Sequence, residues 1–140
     1  MMRNPILSYQ SLNTDLASLL LRLTLGGLFI LHGYPKLISF HDILPMFPNP
    51  IGIGAKLSLI LVIFAEFFCG FLVAIGFLTR LTVIPIFITM TVVFFIVHTN
   101  DPFNAKTLPF VYWLLTMVVF VSGSGKFSMD RLLWKNRRRR

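Results

Sequence analysis

The sequence predicts an all-α membrane protein, a four-transmembrane-helix antiparallel bundle whose N- and C-termini are cytoplasmic. Three observations predict this fold class: an apolar composition, four apolar segments of spanning length and an uneven distribution of basic residues. Hydrophobic residues make up 56% of the 140 residues and charged residues only 13%. A soluble domain of this size buries only about 70% of its unfolded surface, so it cannot conceal so many apolar side chains. Lipid is therefore the solvent that this composition favours.

Four segments are apolar over the roughly 20 residues that an α-helix needs to cross a bilayer. They cover residues 16–38, 56–78, 81–98 and 104–122. Asn13, Thr14 and Asp15 precede the first segment and can cap its start. Only a few residues separate the second segment from the third, which predicts a tight antiparallel hairpin. A basic tail over residues 126–140 follows, and the whole chain 1–140 is predicted to form one membrane domain.

The basic residues predict the orientation of the bundle. With the N-terminus inside, the cytoplasmic set is Arg3, Arg80, Lys126, Arg131, Lys135 and Arg137, Arg138, Arg139 and Arg140. The outer set is Lys36, Lys56 and Lys106. The excess on one side follows the positive-inside bias and predicts cytoplasmic termini. Anionic lipid head groups account for the basic tail and for the formal net charge of +8, so no nucleic-acid partner is predicted.

The cysteine content limits the possible redox chemistry. Cys69 is the single cysteine, so the chain has no intrachain disulfide and no CxxC motif. Any redox chemistry would need a bound molecule or a partner.

The loop 40–54 holds three prolines and two glycines among apolar residues. It either lies at the membrane interface, folds back over the mouth of the bundle or forms a rigid turn.

Two ionisable residues lie deep in the predicted spans. Arg22 lies six residues into the first span and Glu66 ten residues into the second. A charge at the centre of a spanning helix costs about 2.5–3.5 kcal/mol on insertion scales, so such residues usually face the bundle interior and have a partner. We expect an Arg22–Glu66 pair, which either holds the two helices together or contacts a ligand.

One face of the first helix is polar and lined with glycine. At offsets 0, 4, 7, 11 and 14 it carries Arg22, Gly26, Phe29, Gly33 and Lys36. His98 ends the third helix on the same outer side as His32 and Lys36. The predicted ligand pocket comprises Arg22, His32, Lys36, Glu66 and His98, and further candidates for its lining are Gly26, Gly33, Tyr34, Asp101 and Trp113. No HxxxH, HxH or CxxC spacing is present, so no metal site is predicted.

The run from Arg22 through His32, Gly33 and Lys36 resembles the signature of the DoxX family, an arginine in the first helix followed by His-Gly-x-x-Lys. Further landmarks in the same order are Glu66, Gly70, the run from Gly76 to Arg80, His98 and the run from Gly123 to Arg131. The resemblance implies a multi-pass protein of the bacterial inner membrane, in a family named after a subunit associated with quinone-linked oxidation. It also implies redox partner proteins for some members.

Three functions are compatible with these residues. The first is an accessory or quinone-interacting subunit of a membrane redox system, in which polar side chains donate to the quinone carbonyls; a quinone is then the cofactor, and no covalent cofactor is predicted. The second is a non-catalytic assembly or scaffold subunit. The third is a carrier of small molecules or protons, which four helices without internal repeats would support only as a homo-oligomer.

Overall fold

The computed structural model describes residues 13–137, and within that range the regular structure is helical. Helices α1 to α6 cover, in chain order, Thr14–Ile38, Phe40–Ile43, Ala55–Ile75, Thr79–Val97, Phe103–Ser122 and Met129–Arg137. The long helices α1, α3, α4 and α5 are each apolar and long enough to cross a membrane. This confirms the four predicted spans, whose limits differ from the observed ones by three residues or fewer.

The largest difference lies at the end of α3, which stops at Ile75 instead of residue 78. Gly76 adopts a left-handed conformation with φ +74°. Its N–H donates to the Val73 carbonyl at 3.1 Å, and the Phe77 N–H donates to the Leu72 carbonyl at 2.9 Å. Glycine tolerates this conformation, and the two hydrogen bonds satisfy carbonyls that the helix end leaves open. The helix therefore ends where its glycine allows a sharp turn into α4.

Glycines bring α1 and α3 into backbone contact. A Cβ atom on Gly26 would lie 2.5 Å from the Gly70 carbonyl oxygen and 2.7 Å from the Ala74 nitrogen. A Cβ atom on Gly33 would lie 2.6 Å from the Phe67 nitrogen. Contacts therefore run in opposite order along the two helices, with the later glycine of α1 facing the earlier part of α3. Small residues allow this approach where lipid supplies no hydrophobic driving force between helices.

The buried core lies where α1, α3, α4 and α5 meet. Its largest fully buried apolar side chains include Phe29, Leu25, Ile86, Val73 and Val119, and Cys69 packs among them. Many other large apolar side chains on the four spans are exposed. In a soluble protein such a surface would aggregate, whereas in a bilayer it lies against acyl chains. The pattern of burial is that of a membrane bundle.

The chain after α5 was predicted as a basic tail, but much of it forms the docked helix α6. The Asp130 carboxylate accepts from the N–H groups of Leu78 at 2.7 Å and Thr79 at 3.3 Å, which caps the start of α4. The Asp130 N–H donates to the Gly76 carbonyl at 3.0 Å. One aspartate thus fixes α6 to the junction of α3 and α4. Arg3 and residues 138–140, which belong to the predicted cytoplasmic set, lie outside the described residues.

We expect Gly26→Ala to destabilise the bundle and Gly27→Ala to leave it intact. The added methyl group on Gly26 would meet backbone atoms of α3 that cannot move aside, and such overpacking typically costs about 1–3 kcal/mol. The same group on Gly27 has no atom within 4 Å. Thermal unfolding of the two variants in the same detergent measures the difference. Equal melting temperatures would contradict a glycine-mediated contact between α1 and α3.

Candidate ligand cavity

A cavity of about 340 Å³ lies between the four spans at the end where α1 finishes and α3 begins. Its walls are mostly apolar. Side chains from the loop after α2 also line it, namely Phe47, Pro48, Pro50, Ile51 and Ile53. Of the alternatives for the loop 40–54, the structure supports a segment that folds back over the bundle. Apolar residues of the loop therefore form part of the cavity wall.

An ion pair forms one end of this cavity. The Lys36 ammonium group contacts the Glu66 carboxylate, and the side chains are 26% and 7% exposed. Lys36 also donates to the His32 carbonyl at 3.3 Å. An ammonium group has three N–H donors, so one remains for a ligand after these two contacts. The pair thus neutralises a buried carboxylate and still offers a donor to the cavity.

Glu66 lies in a π-helical segment of α3, Phe64–Cys69. Such a segment widens one turn and redirects the side chains on it, and π-bulges are frequent at functional sites. The segment packs on both α1 and α4. The local distortion therefore occurs where the acidic side chain meets the cavity.

A second polar contact lies beside the ion pair. The His32 Nε2 atom is 3.3 Å from the Tyr112 hydroxyl oxygen, and the two rings meet edge to face. Phe29 packs on the other part of the Tyr112 ring, with a centroid distance of 5.0 Å. All three side chains line the cavity. The tyrosine is thereby held in place while its hydroxyl and the imidazole stay available to a ligand.

Ser58 supplies an unusual polar atom in the apolar wall. The residue is only 6% exposed and lines the cavity. Its Oγ atom has no hydrogen-bond partner within residues 13–137. Eight residues separate Ser58 from Glu66, which places it roughly 12 Å further along α3 towards the loop. A buried hydroxyl group without a partner costs free energy.

The predicted Arg22–Glu66 pair is wrong. Gly33 lies against Glu66, because a Cβ atom added to this glycine would be only 3.0 Å from the Cβ atom of Glu66. Arg22 precedes Gly33 by eleven residues, a rise of about 16 Å along α1. The prediction placed Arg22 and Glu66 by their distance from the ends of the predicted spans, and this underestimated their separation. The glycine contacts, and not the ends of the spans, determine the relative axial position of the two helices. Lys36 is the residue that reaches Glu66.

Arg22 instead binds main-chain carbonyl groups at the opposite end of the bundle. It is 1% exposed. Its Nη1 atom donates to the Ala74 oxygen at 3.2 Å and the Val73 oxygen at 3.4 Å, and Nη2 donates to the Phe127 oxygen at 2.5 Å. The first two carbonyls belong to the last turn of α3, where the helix dipole is negative. Arg22 is therefore a structural residue that joins α3 to the chain after α5.

His98 and Asp101 also lie outside the cavity lining. The His98 Nδ1 atom is 2.7 Å from the Asp101 carboxylate, so the two residues satisfy each other near the end of α4. Trp113 packs between α4 and α5, where its Nε1 donates to the Thr91 hydroxyl at 3.0 Å. Tyr34 is exposed on α1. Of the candidate lining residues, Gly26 and Gly33 serve the helix contact, and the structure brings only His32, Lys36 and Glu66 to the cavity.

Sequence reasoning missed three polar residues of the cavity lining, Ser58, Thr89 and Tyr112. Ser58 has no charge and follows the loop by a single turn, so nothing in its neighbourhood marks it. Tyr112 adjoins Trp113, and the two face different sides of α5. The helical spacing of Tyr112 from Pro109 and Leu108, which also line the cavity, is the one signal that could have selected it.

Comparisons with known proteins assign the chain to a family. Residues 17–99 match the model of the DoxX family. An uncharacterised protein of Haemophilus influenzae is 27% identical over 134 residues, which cover 90% of this chain and 89% of the relative. No solved structure matches. Within residues 13–137, no three His, Cys, Asp or Glu side chains are grouped so that they could hold a metal ion.

We expect Arg22→Ala to loosen the segment that joins α5 to α6. The substitution removes charge-assisted hydrogen bonds, each worth about 1.5–3 kcal/mol, and leaves the Phe127 carbonyl without its donor. Hydrogen exchange of the amides in residues 123–130 should therefore accelerate more than exchange in the core of α3. Lys56→Ala is the control, since this exposed cation lies at the start of α3, far from residues 123–130. Equal protection in both variants would rule out the structural role of Arg22.

Proposed function

We propose that this chain, which belongs to the DoxX family, is a quinone-interacting accessory subunit of a membrane redox system. The observation that carries the proposal is an apolar cavity with hydrogen-bond donors gathered at one end. A quinone ring needs apolar walls for its faces and donors for its carbonyl oxygens. The ammonium group of Lys36 has an N–H to spare, and the His32–Tyr112 contact offers a second donor. Electrons would come from a partner oxidoreductase that this chain helps to supply with quinone.

Glu66 has two parts in the proposal. It holds the Lys36 ammonium group in position at the cavity, and its carboxylate can exchange a proton with a bound ring through that lysine. Conversion of a quinone to a quinol takes two electrons from the partner and two protons. The position of an ionisable pair inside a spanning bundle supports such a role, because intramembrane ionisable residues often mark proton or substrate pathways.

The scaffold function remains the alternative, and Arg22 is the observation that favours it. The two terminal nitrogens of this residue join three segments of the chain, as a purely structural subunit would require, although its buried Nε atom has no partner among the described residues. A scaffold does not require a cavity that ends in a neutralised carboxylate. The two functions therefore differ in what they predict for Lys36 and Glu66.

We further propose that the protein lies in the bacterial inner membrane with both termini in the cytoplasm. Lys126 pairs with Asp15 at 3.0 Å, and the Ser18 hydroxyl donates to the Gly123 carbonyl at 2.9 Å, so the described ends of the chain lie at one end of the bundle. Arg80 and Arg131 belong to that same end. The positive-inside bias supports a cytoplasmic location for it.

We expect Lys36→Met to weaken the binding of a quinone by at least about tenfold, which corresponds to the loss of one charge-assisted hydrogen bond. The protein in lipid nanodiscs is titrated with a dimethoxybenzoquinone and with a naphthoquinone, and binding is measured by native mass spectrometry. Glu66→Gln, which keeps the shape of the side chain, should also reduce affinity because it frees Lys36 from its position. Lys106→Met is the control, because this lysine contacts the His98 carbonyl outside the cavity, and its effect should stay within about twofold.

Two results would decide against the quinone. If the native protein, extracted from its membrane, carries no quinone and the titration finds no binding, the scaffold function is favoured. If Lys36→Met and Glu66→Gln lower the melting temperature but leave quinone affinity unchanged, the ion pair is a packing element only.

We expect a green fluorescent protein fused after residue 140 to be fluorescent and alkaline phosphatase at the same position to be inactive, because both reporters would remain in the cytoplasm. The same reporters placed in the loop 40–54 should give the opposite result. Phosphatase activity at the C-terminus would show that the bundle is inserted the other way round.

A further inference from the structure

A second cavity lies at the opposite end of the bundle, where α3 turns into α4. It measures about 430 Å³ and is lined by residues 78–81, residues 122–124, Asp130 and Trp134. The start of α4, the end of α5 and helix α6 therefore meet around it. This second cavity shares no lining residue with the cavity that holds Lys36 and Glu66.

Arg80 contributes a positive charge to the second cavity. Its guanidinium group packs against the main chain of Gly123, since a Cβ atom on this glycine would lie 3.5 Å from both Nε and Nη2. Within residues 13–137, Arg80 forms no hydrogen bond and no ion pair. The group therefore lies at the wall of the cavity with its five N–H donors unused by that part of the chain.

The acidic residues of the protein do not pair with Arg80. The sequence has five of them. Three contact a lysine or a histidine elsewhere, and Asp42 lies in α2, at the other end of the bundle. Asp130 lines the second cavity, but its two oxygens accept from the N–H groups of Leu78 and Thr79. The charge of Arg80 is therefore available to an anion that these side chains do not supply.

The residue before Arg80 adds a second polar group to the same wall. Thr79 lines the second cavity and is only 1% exposed. Its Oγ1 atom has no hydrogen-bond partner among the described residues. Both residues belong to the first turn of α4, where the helix dipole favours a negative charge. Donors and field at this wall thus favour an anionic ligand with several acceptor oxygens.

The depth of the second cavity matches the head-group layer of a bilayer. Two of the four spans end here, because α4 begins at Thr79 and α5 ends at Ser122. Next to them, α6 exposes Leu132, Leu133 and Trp134. Tryptophan is enriched at the level of the lipid head groups, where an exposed apolar face is also covered. The phosphate groups of the surrounding lipids lie at this same level.

We propose that the second cavity binds the phosphate group of a membrane phospholipid. The phosphate oxygens accept from the Arg80 guanidinium group, which suits them because its planar fork can donate two parallel hydrogen bonds. The Thr79 hydroxyl donates to the same group. The acyl chains lie along the first turn of α4, where Leu81 is 62% exposed. Since the two cavities share no residue, this lipid site does not depend on the proposed quinone function.

The test compares a phospholipid with each of its two halves. The protein in a neutral detergent is titrated with phosphatidylglycerol, with a diacylglycerol that has the same chains and with glycerol phosphate. Binding is measured by native mass spectrometry. We expect the wild-type protein to bind the phospholipid at least about tenfold more tightly than either half, because only the whole lipid engages both Arg80 and the apolar surface.

Arg80→Gln should reduce the affinity for phosphatidylglycerol by at least about tenfold. Its melting temperature without added lipid should stay unchanged, since Arg80 has no hydrogen bond to lose within residues 13–137. Arg131→Gln is the matched control. This arginine is also exposed at the same end of the bundle but lies outside the cavity lining, so its effect should stay within about twofold. The basic residues after Arg131 are present in both variants and cancel in the comparison.

Three results would overturn the lipid site. Equal losses in Arg80→Gln and Arg131→Gln would show that the net charge of the protein, and not the second cavity, attracts the phospholipid. Equal binding of phosphatidylglycerol and the diacylglycerol would exclude recognition of the phosphate. If glycerol phosphate binds as tightly as the lipid, and Arg80→Gln abolishes that binding, the ligand is a dissolved phosphate ester.

A second measurement uses the wild-type protein and therefore does not depend on the folding of a variant. A phosphatidylglycerol and a diacylglycerol, each with a diazirine group near the glycerol, are photolysed with the protein in nanodiscs, and the labelled peptides are sequenced. Enrichment of the phospholipid label at residues 78–81 and 122–124 over the diacylglycerol label supports the site. The same label distribution for both molecules would contradict it.

Discussion

A guanidinium group buried inside a membrane-spanning bundle must find its hydrogen-bond partners within the protein, and Arg22 finds them in main-chain carbonyls. Two of these carbonyls are in the last turn of α3 and the third belongs to Phe127. Since lipid offers no substitute, the end of α3 and the chain after α5 have to be where Arg22 can reach them. A Cβ on Gly76 would lie 2.2 Å from Nη1, so a glycine there is required both by its conformation and by the arginine. This end of the bundle is organised around this one side chain.

The position of the cavity depends on a different constraint, the close approach of α1 and α3. Gly26 and Gly33 let the two backbones touch, and this contact determines which residues face each other along the helices. It places Glu66 beside the last turns of α1, within reach of Lys36. The separation of the structural arginine from the ion pair of the cavity is therefore a consequence of where the glycines lie. The same register leaves α3 free to extend beyond α1 and to form one wall of the cavity.

The polar residues at the two ends of the bundle differ in how they use their hydrogen-bonding groups. Arg22, Asp130 and Ser18 use their polar atoms on main-chain groups and hold segments together. Lys36 and Ser58 retain hydrogen-bonding capacity that no described residue uses. The second kind lies beside the apolar cavity, where a ligand could use this capacity. Function is therefore proposed for the cavity and structure is assigned to Arg22, although all of these residues lie in or beside spanning helices.

The sequence by itself determined the four spans, because hydrophobic length and the positions of charges act locally and need no tertiary information. It also selected His32, Lys36 and Glu66, since a polar residue in an apolar span is conspicuous. It did not determine which of two cations meets Glu66, because the answer depends on how far α1 slides along α3, and that is decided by contacts at Gly26 and Gly33. Nor did it reveal α6 or the part of Tyr112 in the cavity, because both depend on contacts between distant segments. Only the tertiary structure decided these points, since register and packing are properties of two surfaces that meet and not of either surface alone.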